Sequence, residues 1–388
     1  MRLIGSQVAQ LRGLELHPVP LAMVSRDELV ERVESDLLAE YSEQESHQDT
    51  LLLSLLGLIE PELALRDLYR ALLAEQVAGF YDSEAEEMVI VCADAFGGVD
   101  QATFAHETVH VLQDQMYDLE RGLDYNDEAC DAGGERCLAL QALIEGDASL
   151  LQEQWLRTFG LEQVLPDLLA FFDEFEMPVF DSAPAYIQAE LTFPYLEGLV
   201  FARSLYLAGG WAAVDAAYDN PPVSSEQILH PERYPRDLPL RFSPPSLSET
   251  LGEGWSEVLS DTLGEWGTRM MLEQYLDSSA AMTAAEGWGG DFVLVYENAA
   301  HSDAALILLT QWDTLRDARE FTAAFVDYGA ARFGDTSESS ATDTTWITAG
   351  LSSRLLRISN QTLWLLAPDE ESLALLTNSF TLPLRPIP

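Results

Sequence analysis

The sequence predicts an α+β protein: a mostly helical body carrying a small β-hairpin, followed by a small C-terminal domain of order ββαββα. Three observations predict it. Apolar residues recur at helical spacing through most of the first 276 residues. The period changes to β-type only in "VAGFYDSEAEEMVIVCAD". The last hundred residues then alternate short β-rich runs with two helical ones. A chain of 388 residues, 47% of them hydrophobic, is long enough for two or three domains. These changes of pattern divide it into a helical lead-in (1–75), a central domain (76–284) and a C-terminal α+β domain (285–388).

Taken in order, the lead-in opens a helix with a capping box, Ser25 with Glu28 three residues on, and continues it through Leu29, Val33 and Leu37. A second helical run follows and breaks near Pro61. The hairpin turns between Asp82 and Glu87 and returns through the β-branched run Val89 to Val91. A helix from Gln101 to Leu119 comes next, with Asp100 as its N-cap and Ala105, Val109, Leu112, Met116 and Leu119 as its core stripe. A polar loop reaches about Arg136, and a second long helix packs through Leu138, Ala142, Ala148 and Leu151. Gly146 on it permits close approach to the first helix. Mostly helical sequence then runs to about Leu276, interrupted by "DNPPVSSEQILHPERYPRDLPLRFSPPS", an irregular stretch of the length that tends to be functional. In the C-terminal domain "GWGGD" (Gly287 to Asp291) marks a tight strand entry, and the Ser/Thr-rich "GDTSESSATDTT" is a loop.

Charge excludes several functions. The formal net charge is -46, and all 20 basic residues are Arg. Such a field repels phosphate backbones and anionic membrane surfaces, so no nucleic-acid partner is expected. Carboxylates spread along the whole chain read as adaptation to concentrated salt, where screening shortens their mutual repulsion. No transmembrane segment is expected, since no run approaches 18 apolar residues, and the start of the chain as written has no export signal. An extracytoplasmic location requires a leader ahead of it. Cys130 and Cys137 close a small loop if the compartment is oxidising and remain thiols otherwise; Cys92 is unpaired. Oligomeric state is not readable.

The chemistry concentrates in "TFAHETVHVLQDQ". His106, His110 and Asp114 form a stripe beside the core stripe of the helix. Two imidazoles four apart reach one ion, and Glu107 between them is directed to its open side, where it can take a proton from water. A third ligand must come from elsewhere. Glu145 in "ALIEGDASL" leads, with Glu135 and Glu128 in the loop as rivals. His230 in "EQILHP" is a candidate donor to the oxyanion of a peptide carbonyl under attack, as are Tyr186, Tyr195 and Tyr81. His17, His47 and His301 have no ligand partners at useful spacing.

Together "AHETVHVLQDQ" and, some thirty residues later, "ALIEGDA" resemble the gluzincin-like HExxH zinc metallopeptidases. The ordered set "GFYD", "EGDA", "EQILHP" and "GWGGD" is similar to uncharacterised bacterial metallopeptidase-like proteins over about residues 76–388. The resemblance implies a zincin-like central domain and one zinc ion per chain on His106, His110 and Glu145. It also implies Glu107 as general base and acid, and a hairpin edge around Gly79 to Asp82 that takes an extended peptide. Gluzincins often place an acidic residue four after the glutamate ligand; here that position is Ser149, with Asp147 two after, and Asp114 is an alternative orienter of an imidazole. The expected function is a zinc-dependent peptidase acting on a peptide or protein substrate, with Glu107, His230 and Tyr195 in catalytic roles. The alternative is a non-catalytic zinc-containing binding or envelope scaffold protein.

Overall fold

A computed structural model describes residues 1–32, 41–91, 96–131, 133–162, 164–174 and 176–387. Val33, Leu37 and Cys92 lie outside the described residues. The chain begins with α1 (Arg2–Arg12), β1 (Leu21–Val24), α2 (Arg26–Arg32), α3 (Glu43–Leu56) and α4 (Leu65–Gln76). The expected capping box opens α2: Ser25 N–H donates to Glu28 Oε2 at 2.8 Å, and Glu28 N–H to Ser25 Oγ at 3.3 Å. The hairpin is β2 (Gly79–Asp82) and β3 (Glu87–Val91), paired antiparallel. The N-terminal stretch is not all-helical, because β1 joins the hairpin parallel to β3. The order β1-β3-β2 leaves β2 at an edge.

The helical body continues with α5 (Gly98–Tyr117), α6 (Asp127–Asp131) and α7 (Gly134–Trp155), then a π turn at Leu156–Gly160. It is completed by α8 (Leu165–Glu174), α9 (Pro178–Ser182), α10 (Ala185–Gly209), α11 (Trp211–Asp219) and α12 (Ser225–Leu229). Asp100 is not the N-cap of α5 but sits in its first turn, where its carboxylate accepts the Gly97 N–H at 2.7 Å. The helix therefore starts two residues before it. Ala105, Val109, Leu112 and Leu119 are buried as their spacing predicts, whereas Met116 is exposed where the last turn of α5 passes beyond the core. Gln152 Nε2 donates to Ala102 O at one end and Gln113 Nε2 to Ile144 O at the other, so α5 and α7 run antiparallel.

Gly146 serves a different neighbour from the one expected. It faces α10, where a methyl in its place would stand 2.1 Å from the Gly198 carbonyl oxygen. Reciprocally, a methyl on Gly198 would stand 2.1 Å from the Ala142 carbonyl oxygen. Two backbones thus touch where any side chain would separate them. Cys130 of α6 and Cys137 in the first turn of α7 are joined by a disulfide with Cα atoms 5.3 Å apart.

The remainder comprises α13 (Ser248–Leu251), β4 (Ser256–Asp261), α14 (Gly264–Glu273), α15 (Ser278–Ala285), β5 (Trp288–Asn298) and β6 (Asp303–Trp312). It ends with α16 (Leu315–Phe333), β7 (Glu338–Ser339), β8 (Asp343–Thr348), β9 (Leu351–Ile358), β10 (Gln361–Ala367) and α17 (Glu370–Ser379). The strands form one antiparallel sheet of order β4-β5-β6-β10-β9-β8-β7. The expected ββαββα order is present, but the sheet is larger. Its edge strand β4 lies in sequence read as helical, and β7 and the start of β8 lie in the Ser/Thr-rich stretch read as a loop.

Alternation along the central strands explains their unbroken apolar runs. Val293, Val295, Leu306 and Leu308 face a core shared with α16 and with Leu53, Leu140 and Leu143 of the helical body. Phe292, Leu294, Ile307 and Leu309 face the opposite way, under Leu251 of α13 and Leu373 and Leu376 of α17. Both faces are buried, so neither needs polar residues. "GWGGD" is more than a strand entry: Leu240 N–H donates to Gly289 O at 2.8 Å, and a side chain at Gly290, whose φ is 133°, would collide with the Leu240 backbone. Asp291 accepts the N–H groups of Leu263 and Gly264 and the Trp288 indole, joining β5 to the start of α14. No helix of the described residues is long and apolar enough to cross a membrane.

Two consequences can be measured. Gly198→Ala should destabilise the protein by about 3 kcal/mol, because the collision is with backbone and cannot be relieved by a rotamer change; unchanged thermal unfolding would show that α7 and α10 can separate freely. Glu190 on α10 accepts the hydroxyls of Tyr69 (2.6 Å) and Tyr186 (3.2 Å), and burial pushes its carboxyl up to about 7. A folded-state pKa above the unfolded one gives stability that is full below the unfolded value and lost as pH rises through the folded value. Glu190→Gln should therefore raise Tm at pH 8 by about 3 °C and leave it unchanged at pH 4; a shift of equal size at both pH values would refute the assignment.

Candidate metal centre

The i,i+4 spacing on α5 sets His106 and His110 side by side, their ring centroids 4.8 Å apart. The antiparallel return of α7 brings Glu145 opposite them. Glu145 Oε2 lies 3.1 Å from His106 Nε2 and 3.5 Å from His110 Nε2. Ligand atoms about 2.0–2.1 Å from a tetrahedral ion stand roughly 3.3 Å apart, and the two distances bracket that value. The three side chains retain 11, 12 and 14% exposure, so the set is open on one side.

Hydrogen bonding settles which nitrogen of His110 is the donor. Gln113 Nε2 donates to Ile144 O at 2.9 Å, so its Oε1 is the atom 2.8 Å from His110 Nδ1 and must accept from it. That leaves the lone pair of His110 Nε2 facing the Glu145 carboxylate. Two acceptors at that separation need a proton or a cation between them. With only a proton available, burial would lower the pKa of His110, but the Glu145 charge outweighs it and holds the imidazole up at about 9. Burial alone would raise Glu145, and the two imidazoles instead hold it well below the usual carboxylate range. The donor set, two nitrogens and one carboxylate, fits a zinc ion with an open position.

The remaining predicted residues divide. Glu107 is buried beside the pair and accepts the Tyr81 backbone N–H; burial raises it above the usual carboxylate range against the pull of both imidazoles. Tyr195 of α10 lies with its ring 6.1 Å from that of His106 and its hydroxyl on Glu145. Burial, then the Glu145 and Glu107 charges, hold this phenol well above its ordinary pKa. It sits three residues before Gly198, so the glycine contact between α7 and α10 is what delivers it. His230 is elsewhere: its Nε2 is 2.8 Å from Glu265 Oε1, and it is not in the converging set. Tyr186 is taken by Glu190, and Tyr81 donates its hydroxyl to Asp114 at 2.7 Å. Asp114 therefore orients no imidazole. Glu135 accepts the N–H and hydroxyl of Ser225, and Glu128 lies on α6 outside the set.

Sequence reasoning named Asp147 near the expected acidic position but missed the other supports behind His110. Asp147, fully buried, lies 3.3 Å from Gln113 Nε2 and accepts from Arg12 Nε and Nη2 at 3.2 Å each and from the Tyr218 hydroxyl at 3.0 Å. The N-terminal helix thus reaches the His110 imidazole through Arg12, Asp147 and Gln113. Gln113 was visible, one turn after His110, but nothing at that level connected it to residue 12. Gln113→Leu should weaken divalent-metal affinity 10- to 100-fold in competition with a chromophoric chelator, while Asp114→Asn leaves it unchanged. Equal affinities for the parent and Gln113→Leu would remove Gln113 from the site.

Among known proteins, residues 249–377 are similar to a family described as Domain of unknown function (DUF8575). That stretch runs from α13 to α17 and includes none of the residues around His106. No curated protein and no solved structure matches the chain.

Proposed function

We propose that this protein is a zinc-dependent peptidase of gluzincin-like type. The observation that carries the reading is the convergence of His106, His110 and Glu145, all contributing ligand atoms within 4.8 Å of one another, with the buried carboxyl of Glu107 and the hydroxyl of Tyr195 beside them. A closed structural site would use a fourth protein ligand; among the described residues this donor set stops at three.

When bound, zinc supplies Lewis acidity that polarises a substrate carbonyl and eases the loss of a proton from water. Glu107 takes that proton on a carboxylate oxygen and later delivers it to the leaving amine. Burial strengthens its hold on a proton, which suits both halves of that task. Tyr195, kept protonated by burial and then by its two carboxylate neighbours, donates its hydroxyl to the oxygen that becomes negative as the carbonyl is attacked. At 44% exposure the residue is reachable by substrate. An extended peptide would lie on the open edge of β2, where the Tyr81 N–H already turns toward Glu107 and away from β3.

Elemental mass spectrometry after dialysis against a mild chelator should find close to one zinc per parent chain and a clear loss in Glu145→Ala. Glu107→Gln should keep the zinc and lose peptide hydrolysis by about 10² or more. Tyr195→Phe should lower kcat by about 10² with little change in KM. Glu107→Gln turning over as fast as the parent would end this mechanism, and a zinc-loaded parent that cleaves no peptide and binds no hydroxamate would favour the scaffold alternative.

A further inference from the structure

"EQILHP", singled out in the sequence, has no part in the His106 centre. It belongs to a second group of charged side chains. After α12 the chain turns at 230–237, with Arg233 N–H donating to His230 O and Asp237 N–H to Arg233 O, and so carries Asp237 back beside Glu226. The carbonyl of Asp237 is held by Gln227 Nε2. Asp313, just past the end of β6, joins them: one carboxylate oxygen from each of Glu226, Asp237 and Asp313 lies within 4.8 Å of the others. Glu226 is buried, Asp237 half-buried and Asp313 exposed, which gives the cluster a floor and a mouth.

A cluster of acids in a chain with 66 of them would mean little alone. The independent observation is Glu265, at the start of α14. It is 3% exposed; one oxygen pairs with His230, and the other, Oε2, is buried with no hydrogen-bond partner. Its charge acts on both Glu226 and Asp313. An orphaned, fully desolvated carboxylate oxygen costs more than most folds tolerate unless a cation answers it. Local cations do not suffice. Arg233 bonds Glu226 and also reaches toward Glu286, and among the described residues His230 is the other basic side chain paired with a carboxylate of this group, Glu265. Were all four carboxylates ionised, one guanidinium and one imidazolium would leave two negative charges, an excess the cluster sheds by holding protons unless a cation takes their place.

We propose that Glu226, Asp237 and Asp313, with Glu265 beside them, form a second cation site that takes a hard divalent ion of the calcium type. Every free donor is oxygen, the preference of calcium and magnesium and not of zinc, and the tolerance of calcium for irregular geometry suits ligands drawn from separate segments. The crowding is visible in the groups themselves: burial and then the Glu265 charge push Glu226 up to about 8, and burial and then Asp237 push Asp313 up to about 6. An ion here ties α12 and its turn to α14 and to the end of β6, fastening the helical body to the sheet.

The test is calorimetric titration of the full chain with calcium chloride in about 1 M sodium chloride, where a Debye length of about 3 Å suppresses diffuse binding to surface acids. The parent and Glu145→Ala should each bind one calcium saturably and gain thermal stability from it. Asp313→Asn, an exposed and structurally mild change, should bind at least tenfold more weakly, and Glu226→Gln likewise where it folds. An exposed control, Glu370→Gln, should behave as the parent. No saturable binding by the parent, full affinity in Asp313→Asn, or loss of calcium in Glu145→Ala instead would each overturn the proposal.

Discussion

The contact on which the site depends most is the meeting of two backbones at Gly146 and Gly198. It is a packing constraint with a chemical result. Helices that carry side chains at a crossing stand 8–10 Å apart; two glycines permit less, and here the carbonyl of each helix occupies the space a methyl would need on the other. Glu145 immediately precedes one glycine, and Tyr195 lies one turn before the other. Closing the gap between α7 and α10 therefore places a phenol against a carboxylate, beside the two imidazoles that Glu145 faces.

Behind His110 the structure runs inward. Gln113 is held by a main-chain carbonyl and by Asp147; Asp147 is held by a guanidinium from the first helix and a phenol from α11. Each member bonds the next, and linked buried polar groups of this kind confer rigidity. A chain this acidic has few cations for such work, and two of them are used as forks. Arg12 engages Asp147 through two nitrogens and reaches Asp215 with a third, and Arg354 grips both oxygens of Asp343. A lysine could make only one such contact per direction.

How much of this was legible in the sequence depends on the range of the interaction. The pairing of His106 with His110 is local and needed only helical periodicity. Glu145 could be named because it lies one loop and a return helix away, and Glu135 fell as a rival because its carboxylate is used by Ser225. Tyr195 stood ahead of Tyr186 and Tyr81 with no residue pattern to place it, since its position is decided by a glycine contact that pairs residues 146 and 198. Gly146 announced a close approach but not to which helix. Arg12 lies 135 positions from Asp147, and no pattern in either segment refers to the other. In the C-terminal sheet β8 was hidden by composition: Ser and Thr dominate its approach, and only the inward alternation of Thr344 and Trp346 marks it as a strand. His230 in "EQILHP" read as a candidate donor to an oxyanion; its partner, Glu265, arrives from another helix, which the local sequence does not show.

The burial of Arg12 has a consequence outside the site. In the folded chain its guanidinium is 2% exposed and stacked 4.6 Å from the Trp211 ring, with both ends of its fork occupied. A protease that cuts after arginine can accept it only once α1 has lifted from α5 and α7. When lifting is fast relative to cutting, the rate of cleavage there reads the fraction of molecules with the helix detached. Limited proteolysis at a single bond thus becomes a gauge of how firmly the first twelve residues are seated, and so of how often Asp147 is left without its counter-charge.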